Sequence, residues 1–195
     1  MKTKNPINVP VEVSARHIHL SQKDLEKLFG KKYKLNKLRD LSQKGEFAAK
    51  ETVSLASRFQ GFIANVRVLG PVRKETQVEL AQTDAIKLGV EAPVVISGDL
   101  SKVKPVVEVR GPKGKILAKA IVAKRHLHCS LADAKKLGIK NGQQIAIQII
   151  GERGLIFDNV IVRVAPKMYL ACHIDTDEAN AGGLGKVCGQ GILLI

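Results

Sequence analysis

The strongest constraint on how this chain folds is an internal repeat. Residues 16–21 (Arg-His-Ile-His-Leu-Ser) recur as residues 125–130 (Arg-His-Leu-His-Cys-Ser), 109 positions further along the chain. The same offset joins Asp24 to Asp133, so the similarity continues beyond the hexapeptide. A repeat of this length predicts two related halves, each of which builds the same supersecondary unit.

Two weaker similarities extend the repeat to four segments. Residues 83–90 resemble residues 132–139, and this alignment places Glu79 at the position of His128. A looser match places His173 in the same frame. The shared plan is a strand that ends near a histidine or a glutamate and is followed by a short helix. We therefore expect four repeat-related strand ends to carry polar side chains.

The pattern of strands and turns predicts a mainly β fold. Apolar and polar residues alternate along many short segments, and the Gly-rich turns at 111–114 and 151–154 indicate hairpins. Helical segments such as 22–29 are short and stop at glycine. The prediction is two β-barrels capped by short helices, with the repeat-related strand ends meeting in a cleft. A strand over 9–20 and a loop or linker over 31–45 belong to the same prediction.

The histidines indicate metal binding. Four of the five lie in two His-x-His pairs, and the fifth is His173. Because residues i and i+2 of a strand point to the same face, each pair can offer two imidazoles to one ion. Imidazole nitrogen and carboxylate oxygen are both zinc ligands, which brings Glu79 into the set. The alternative is that histidines recur only because the halves are duplicated. The metal hypothesis predicts up to two divalent ions per chain.

The cysteines do not extend this metal hypothesis. Cys129 and Cys172 each follow or precede a candidate histidine, and strand neighbours point to opposite faces. If the histidines face the ion, these two cysteines face the core. Three cysteines are an odd number, which argues against a disulfide framework and favours a reducing compartment.

The charge predicts polyanionic partners. The chain carries 32 Lys and Arg against 18 Asp and Glu, a formal net charge of +14. Such a surface attracts nucleic acid, anionic membrane or a phosphorylated small molecule. The alternative is that the charge serves only to keep the protein soluble. Aromatic residues make up 4% of the chain and Trp is absent, which argues against single-stranded nucleic acid because stacking needs aromatic rings. No run of about 18 apolar residues predicts a membrane span.

A positively charged side chain lies near the candidate carboxylate in the sequence. Arg73 lies in a turn that leads into the strand with Gln77, Val78 and Glu79. If Val78 faces the core, Gln77 and Glu79 share the opposite face. The planar fork of an arginine suits phosphate, so Arg73 is a candidate phosphate ligand, with an ordinary surface cation as the alternative.

These residues carry a resemblance to a known family. The chain resembles the PduL-type phosphotransacylases, the phosphate propanoyltransferase family, over nearly its whole length from about Val9. The motifs that carry the resemblance are residues 13–20 (Val-Ser-Ala-Arg-His-Ile-His-Leu), 69–73 through 77–79, 125–128 and 173–181.

The resemblance implies a site and a fold. It implies two zinc ions: His17, His19 and Glu79 hold one, with the sulfur of coenzyme A as a further ligand. His126, His128 and His173 would hold the second. Arg73 matches the family's phosphate-binding arginine, and Gln77 is a further candidate for substrate binding. The implied domains are 1–40 with 103–195 as one barrel and 41–102 as the other.

The resemblance also implies a reaction, in which acyl-CoA and phosphate give acyl phosphate and coenzyme A reversibly. The acyl group is propanoyl or acetyl. Two alternatives remain: a dinuclear metallohydrolase that acts as a thioesterase, and a basic nucleic-acid-binding barrel with structural metals. We expect a cytoplasmic protein without nucleic-acid or membrane partners. The resemblance implies that members packaged in microcompartments carry an N-terminal amphipathic targeting helix. Residues 2–10 lack that amphipathic pattern, so we expect either a free cytosolic member or a chain whose leader is missing. The oligomeric state is open, with a homodimer as one alternative.

Overall fold

The chain folds into two compact units. The computed structural model describes residues 6–59, 61–185 and 188–195. One unit combines the chain up to Ser14 with Lys124–Ile195, and the other is Ala15–Ala123. We call them the terminal barrel and the central barrel, since each contains a closed ring of six strands. The mainly β class and the two barrels with short helices are therefore confirmed. The first five residues, on which the leader prediction partly rests, lie outside the described residues.

Fourteen strands and four helices occur in the described residues. Up to Ala123 they are β1 (Ile7–Ser14), β2 (His17–Ser21), α1 (Gln22–Phe29), β3 (Lys37–Asp40), β4 (Phe47–Ala56), β5 (Phe62–Arg73), β6 (Gln77–Leu80), α2 (Gln82–Leu88), β7 (Val94–Val95), β8 (Pro105–Arg110) and β9 (Lys115–Ala123). Beyond it they are β10 (His126–Cys129), α3 (Leu131–Leu137), β11 (Gln144–Ile149), β12 (Leu155–Val164), β13 (Ala171–Asp175), α4 (Thr176–Ala181) and β14 (Gly189–Leu194).

The terminal barrel closes in the order β1, β13, β10, β12, β11 and β14, with β14 returning to β1. β10 runs parallel to β12 and antiparallel to β13, so the strand with the second His pair lies between them. Alternate residues point inward, and they include the fully buried Leu127, Ile147 and Cys172. Closing the sheet pairs all strand edges, which is what lets short strands form a stable barrel.

The central barrel repeats this order with other strands. β4, β5, β2, β6, β9 and β8 form the ring, because β8 pairs with both β9 and β4. β2 runs parallel to β5 and antiparallel to β6, as β10 does to β12 and β13. The short strands β3 and β7 add to the ring at β4 and β9. Its core contains the buried Ile18, Val68 and Val78.

The backbone carries a further sign of the repeat that sequence comparison missed. Asn65 in β5 and Asn159 in β12 both adopt a left-handed conformation, each with φ of 56°. Each lies where the pairing with the preceding strand shifts register. Asparagine tolerates this conformation better than most residues. Equivalent bulges in the two barrels therefore mark the hairpins β4–β5 and β11–β12 as related.

The helices begin and end at the residues expected from capping. The Ser21 and Ser130 side chains accept hydrogen bonds from the backbone N–H of Asp24 and Asp133. α3 ends at Gly138 in a left-handed conformation that glycine adopts without strain. The four helices have six to eight residues. Among the described helices none is long and apolar enough to cross a membrane.

The structure differs from the sequence prediction in three places. The segment expected to be one strand over 9–20 forms two strands, β1 and β2, which belong to different barrels. The split occurs because Ala15 and Arg16 pair with neither sheet. The expected loop at 31–45 contains β3, which pairs with β4. The observed units also differ from the expected bounds of 1–40 with 103–195 and 41–102. β2, α1 and β9 pack in the central barrel, since β2 and β9 both pair with β6.

Candidate metal centres

Three polar side chains of the central barrel form the first candidate centre. His17 and His19 lie on β2, and Glu79 lies on the neighbouring β6, directly opposite His17. One donor atom from each lies within 4.8 Å of the others, and all three residues are buried. The Nε2 atoms of His17 and His19 are 3.4 and 3.7 Å from Oε1 of Glu79. The structure therefore brings together the three residues predicted for one ion, and we call them the Glu79 triad.

The backbone fixes the orientation of His17. Its Nδ1 lies 2.8 Å from the carbonyl oxygen of Ala15. A carbonyl only accepts hydrogen bonds, so Nδ1 donates and Nε2 is directed toward Glu79. Ile18, between the two histidines, is fully buried in the core, as the strand alternation predicted.

Burial and charge set the protonation of this triad. Burial lowers the pKa of His17, but the Glu79 carboxylate and its hydrogen bond outweigh burial, so that pKa is raised. Burial, His17 and Arg73 lower the pKa of His19 to about 2. Burial raises the pKa of Glu79, but the two imidazoles outweigh it and the net change is downward. Glu79 is thus an anion beside a neutral His19 at physiological pH.

Two further side chains hold Glu79, and one of them is a residue that the sequence analysis missed. Ser97 Oγ donates to Glu79 Oε1 at 2.7 Å. The buried Gln77 donates from Nε2 to Glu79 at 2.5 Å and to Ser97 at 3.0 Å, while its Oε1 accepts from the N–H of Gly98 at 2.8 Å. Both amide donors of Gln77 thus act within the protein. Substrate binding by Gln77 stays a prediction, and its contacts favour an orienting role.

Arg73 lies close to the Glu79 triad at the end of β5. Its positive charge helps to lower the pKa of His19 and opposes the rise in the pKa of His17. The guanidinium donates to Glu46 at 3.2 Å, and about a third of the side chain is exposed. A guanidinium has five N–H donors, of which this bond uses one. Arg73 therefore lies within electrostatic range of the two histidines of this triad, and Glu46 is a partner that the sequence pattern did not indicate.

Three histidines of the terminal barrel form the second candidate centre, which we call the three-histidine triad. His126 and His128 lie on β10, and His173 lies opposite His126 on β13. Their donor atoms also lie within 4.8 Å of one another, and Nε2 of His126 is 3.0 Å from Nε2 of His128. His126 Nδ1 lies 2.9 Å from the carbonyl oxygen of Lys124, which repeats the contact of His17 with Ala15.

Burial keeps His128 of this triad in the neutral form that binds a cation. Burial and the neighbouring imidazoles lower the pKa of His128 to about 2, so His128 is neutral at physiological pH. Its Nδ1 lies 3.1 Å from the thioether sulfur of Met168. Glu12 on β1 lies beside His173, with Oε2 3.3 Å from Nε2. Neither Met168 nor Glu12 was expected at this site from the sequence.

The cysteines lie in the core, as predicted. Cys129 and Cys172 are fully buried in the terminal barrel, and Cys188 is exposed. Burial raises the pKa of Cys129 to about 11 and of Cys172 to about 12, which keeps both as thiols. A thiol is a poor metal ligand, so these residues do not compete with the histidines.

The donor sets of both triads fit a divalent cation such as zinc. Imidazole nitrogen and carboxylate oxygen are the ligands zinc takes besides thiolate. Among the described residues, two buried nitrogen atoms lack a hydrogen-bond partner, His19 Nδ1 and His173 Nε2, and one belongs to each triad. A buried polar atom without a partner is costly, and a bound cation would remove that cost at His173.

Fold and side chains together define a two-barrel β protein with a candidate metal triad in each barrel. Comparison with known proteins gives its family. The family model for phosphate propanoyltransferase matches residues 10–185. The chain belongs to the phosphate propanoyltransferase family, whose members are phosphotransacylase enzymes.

Curated relatives agree over most of their length. The phosphate propanoyltransferase of Lachnoclostridium phytofermentans is 47% identical over 194 residues, which cover 98% of this chain and 89% of the relative. The phosphate propanoyltransferase of Thermotoga maritima is 49% identical over 177 residues, which cover 89% of this chain and 83% of the relative. The phosphate propanoyltransferase of Priestia megaterium is 50% identical over 182 residues, which cover 92% of this chain and 83% of the relative. The family supports phosphate acyltransferase activity for this chain.

Proposed function

We propose that this enzyme reversibly transfers a short acyl group, propanoyl or acetyl, between coenzyme A and inorganic phosphate. In the forward direction a C–O bond forms between phosphate and the acyl carbon, the C–S bond of the thioester breaks, and coenzyme A leaves as a thiolate. The proposal includes two divalent metal ions, with zinc as the expected identity, one held by each triad. Both ions are proposed to serve this one reaction as a dinuclear site.

The observation that carries the proposal is the pair of triads. In a phosphate propanoyltransferase family member, two sets of three donor residues, mostly buried, occupy equivalent strand positions in two related barrels. Divalent ions bound there would supply Lewis acidity toward a thiolate and a phosphate oxygen. Phosphate is already an anionic nucleophile, so the chemistry does not require a serine or cysteine nucleophile. The buried thiols of Cys129 and Cys172, with raised pKa, agree with this.

The residues around the Glu79 triad then have definite tasks. Ser97 and Gln77 hold the Glu79 carboxylate in one orientation. Arg73 presents a partly exposed guanidinium beside the triad, and we assign it the phosphate dianion. A fixed positive group near the acyl carbon positions phosphate and offsets the charge that develops on oxygen during attack. The net charge of +14 favours substrates that are polyanions, as coenzyme A and acyl phosphates are.

Thiol release with and without phosphate tests the proposal. Purified zinc-loaded protein is mixed with propanoyl-CoA or acetyl-CoA, and free thiol is followed with a chromogenic disulfide. A blank with protein alone is needed because Cys188 is exposed. We expect thiol release that requires phosphate and is matched by acyl phosphate formation. Release without phosphate would instead establish a thioesterase. No release, together with salt-sensitive oligonucleotide binding, would establish the nucleic-acid-binding alternative.

A further inference from the structure

Glu12 lies beside the three-histidine triad in a position that the repeat makes informative. β1 and β13 run parallel, and their register places Glu12 next to His173. Oε2 of Glu12 is 3.3 Å from Nε2 of His173, and the two side chains are about a quarter and a sixth exposed. The carboxylate is therefore sheltered and directed at the imidazole.

The equivalent position in the central barrel holds no charge. β9 runs parallel to β6 there, and Ile121 lies next to Glu79. Each barrel thus places one carboxylate at its centre, within the Glu79 triad in the central barrel and beside the three-histidine triad in the terminal barrel. In the central barrel the carboxylate lies opposite the first histidine and an isoleucine flanks it. In the terminal barrel His173 lies opposite the first histidine, and Glu12 flanks it.

The contact between the two groups brings a carboxylate to the edge of the three-histidine triad. His173 Nε2 is buried and makes no hydrogen bond within the described residues, although Glu12 Oε2 lies at 3.3 Å. Glu12 thus adds a carboxylate beside an imidazole whose donor atom lies within 4.8 Å of the two other histidine donors. Three neutral imidazoles alone would leave the two positive charges of a bound ion without compensation, in a barrel where charges are costly to bury.

We propose that Glu12 is part of the metal centre of the terminal barrel. Its carboxylate lies beside the His173 imidazole and offsets the charge of the bound ion, so that it raises the affinity of the three-histidine triad for a divalent cation. This proposal rests on the metal binding included in the proposed function. Outer-sphere partners of this kind change metal affinity by about 10- to 100-fold.

Metal affinity, not activity alone, tests this role. Zinc dissociation constants of the chelator-stripped protein are measured by competition with a chromophoric chelator, and bound metal is counted by mass spectrometry. In Glu12→Gln we expect one of the two ions to bind about 10- to 100-fold more weakly, with the other unchanged. Glu12→Asp, which keeps the charge, should recover part of the loss. Glu152→Gln, an exposed carboxylate of the same barrel, is the matched control and should bind as the parent does.

Cobalt substitution gives a spectroscopic readout that a purely structural role would not move. The visible bands of the cobalt-loaded protein should change in Glu12→Gln, while the metal-free variant should unfold thermally at nearly the parent temperature. Unchanged affinity for both ions in Glu12→Gln, or an equal loss at both, would overturn the proposal for Glu12. A parent protein that binds no divalent metal would overturn the metal part of the proposed function, and the two failures are therefore distinct.

Discussion

His17 and Glu79 lie directly opposite each other on antiparallel strands, with Nε2 3.4 Å from Oε1. His126 and His173 occupy the same relationship on β10 and β13. The repeat thus keeps the position and changes the residue, from a carboxylate in one barrel to an imidazole in the other. The Glu79 triad carries a formal negative charge within its three donors, so the two centres differ in how they compensate a cation.

Replacement of Glu79 by Gln should empty the metal centre of the central barrel. The substitution keeps the shape and removes the charge that holds His17 and compensates a cation. We expect zinc affinity at this centre to fall by more than the roughly 100-fold seen for loss of an outer partner. The number of bound ions should drop from two to one, measured by mass spectrometry after gel filtration. Retention of both ions would contradict the assignment of Glu79.

Ser97→Ala should weaken the same centre less severely. Ser97 donates a 2.7 Å hydrogen bond to Glu79, and its removal leaves the carboxylate less firmly oriented. We expect a loss of about 10- to 100-fold in zinc affinity at one centre, measured by chelator competition. Ser101→Ala is the control, because Ser101 bonds to the exposed Asp99 instead. Equal affinities in the two variants would show that Ser97 does not orient the ligand.

The repeat made most of the candidate centres predictable. Strand alternation places the two histidines of each pair on one face, and the offset of 109 relates the pairs. Two weaker similarities add Glu79 and His173, so five histidines and Glu79 could be named from sequence. The core positions of Ile18, Leu127, Cys129 and Cys172 followed from the same alternation. These features depend on local periodicity, which a single sequence records directly.

The partners of these residues could not be predicted, because they come from strands distant in the chain. Ser97 follows β7, and Glu12 reaches His173 only through the pairing of β1 with β13. The observed unit boundaries differ from the expected ones for the same reason. The break at Ala15 and Arg16 sends β1 and β2 to different barrels, and pairing register is a property of the folded sheet rather than of the segment.

Arg73→Ala should raise the phosphate KM and leave bound metal unchanged. A charge-assisted hydrogen bond contributes about 1.5–3 kcal/mol, which corresponds to roughly 10- to 100-fold in KM. Steady-state rates at varied phosphate check this, with Arg73→Lys expected to recover part of the effect. The control is Arg110→Ala, since Arg110 is exposed and pairs with Glu108. An unchanged phosphate KM in Arg73→Ala would exclude Arg73 as the phosphate ligand.

The arginines that precede the His pairs should act in stability. Arg125 Nε pairs with Glu178 at 2.8 Å, and Arg16 pairs with Asp84 at 2.5 Å. Each acid lies in the first turn of the helix that follows the opposite strand. A double-mutant cycle with Arg125→Ala and Glu178→Gln should give a coupling of about 1 kcal/mol in urea unfolding. A coupling near zero would leave Arg125 for a ligand contact instead.

The metal-free protein should lose stability as the pH falls below 6.5. The pKa values of His19 and His128 are lowered to about 2 in the folded state, mainly by burial, from an ordinary value of 6.5. Between these values the unfolded chain binds more protons, so the free energy of unfolding falls as pH decreases. Each histidine contributes a slope of up to about 1.4 kcal/mol per pH unit.

The raised pKa of His17 affects the free energy of unfolding at higher pH. Its stabilising contribution is complete below pH 6.5 and is lost as the pH rises through the raised pKa. Burial raises the pKa of Asp175 and Glu178, and these carboxyls oppose the trend near their own pKa values. The measurement is therefore a comparison between variants. Urea unfolding of chelator-stripped protein between pH 4.5 and 6.5 should show a shallower slope for His128→Gln than for the parent. Identical slopes would mean that His128 is protonated in the folded protein, and a cation would then have to displace that proton to bind.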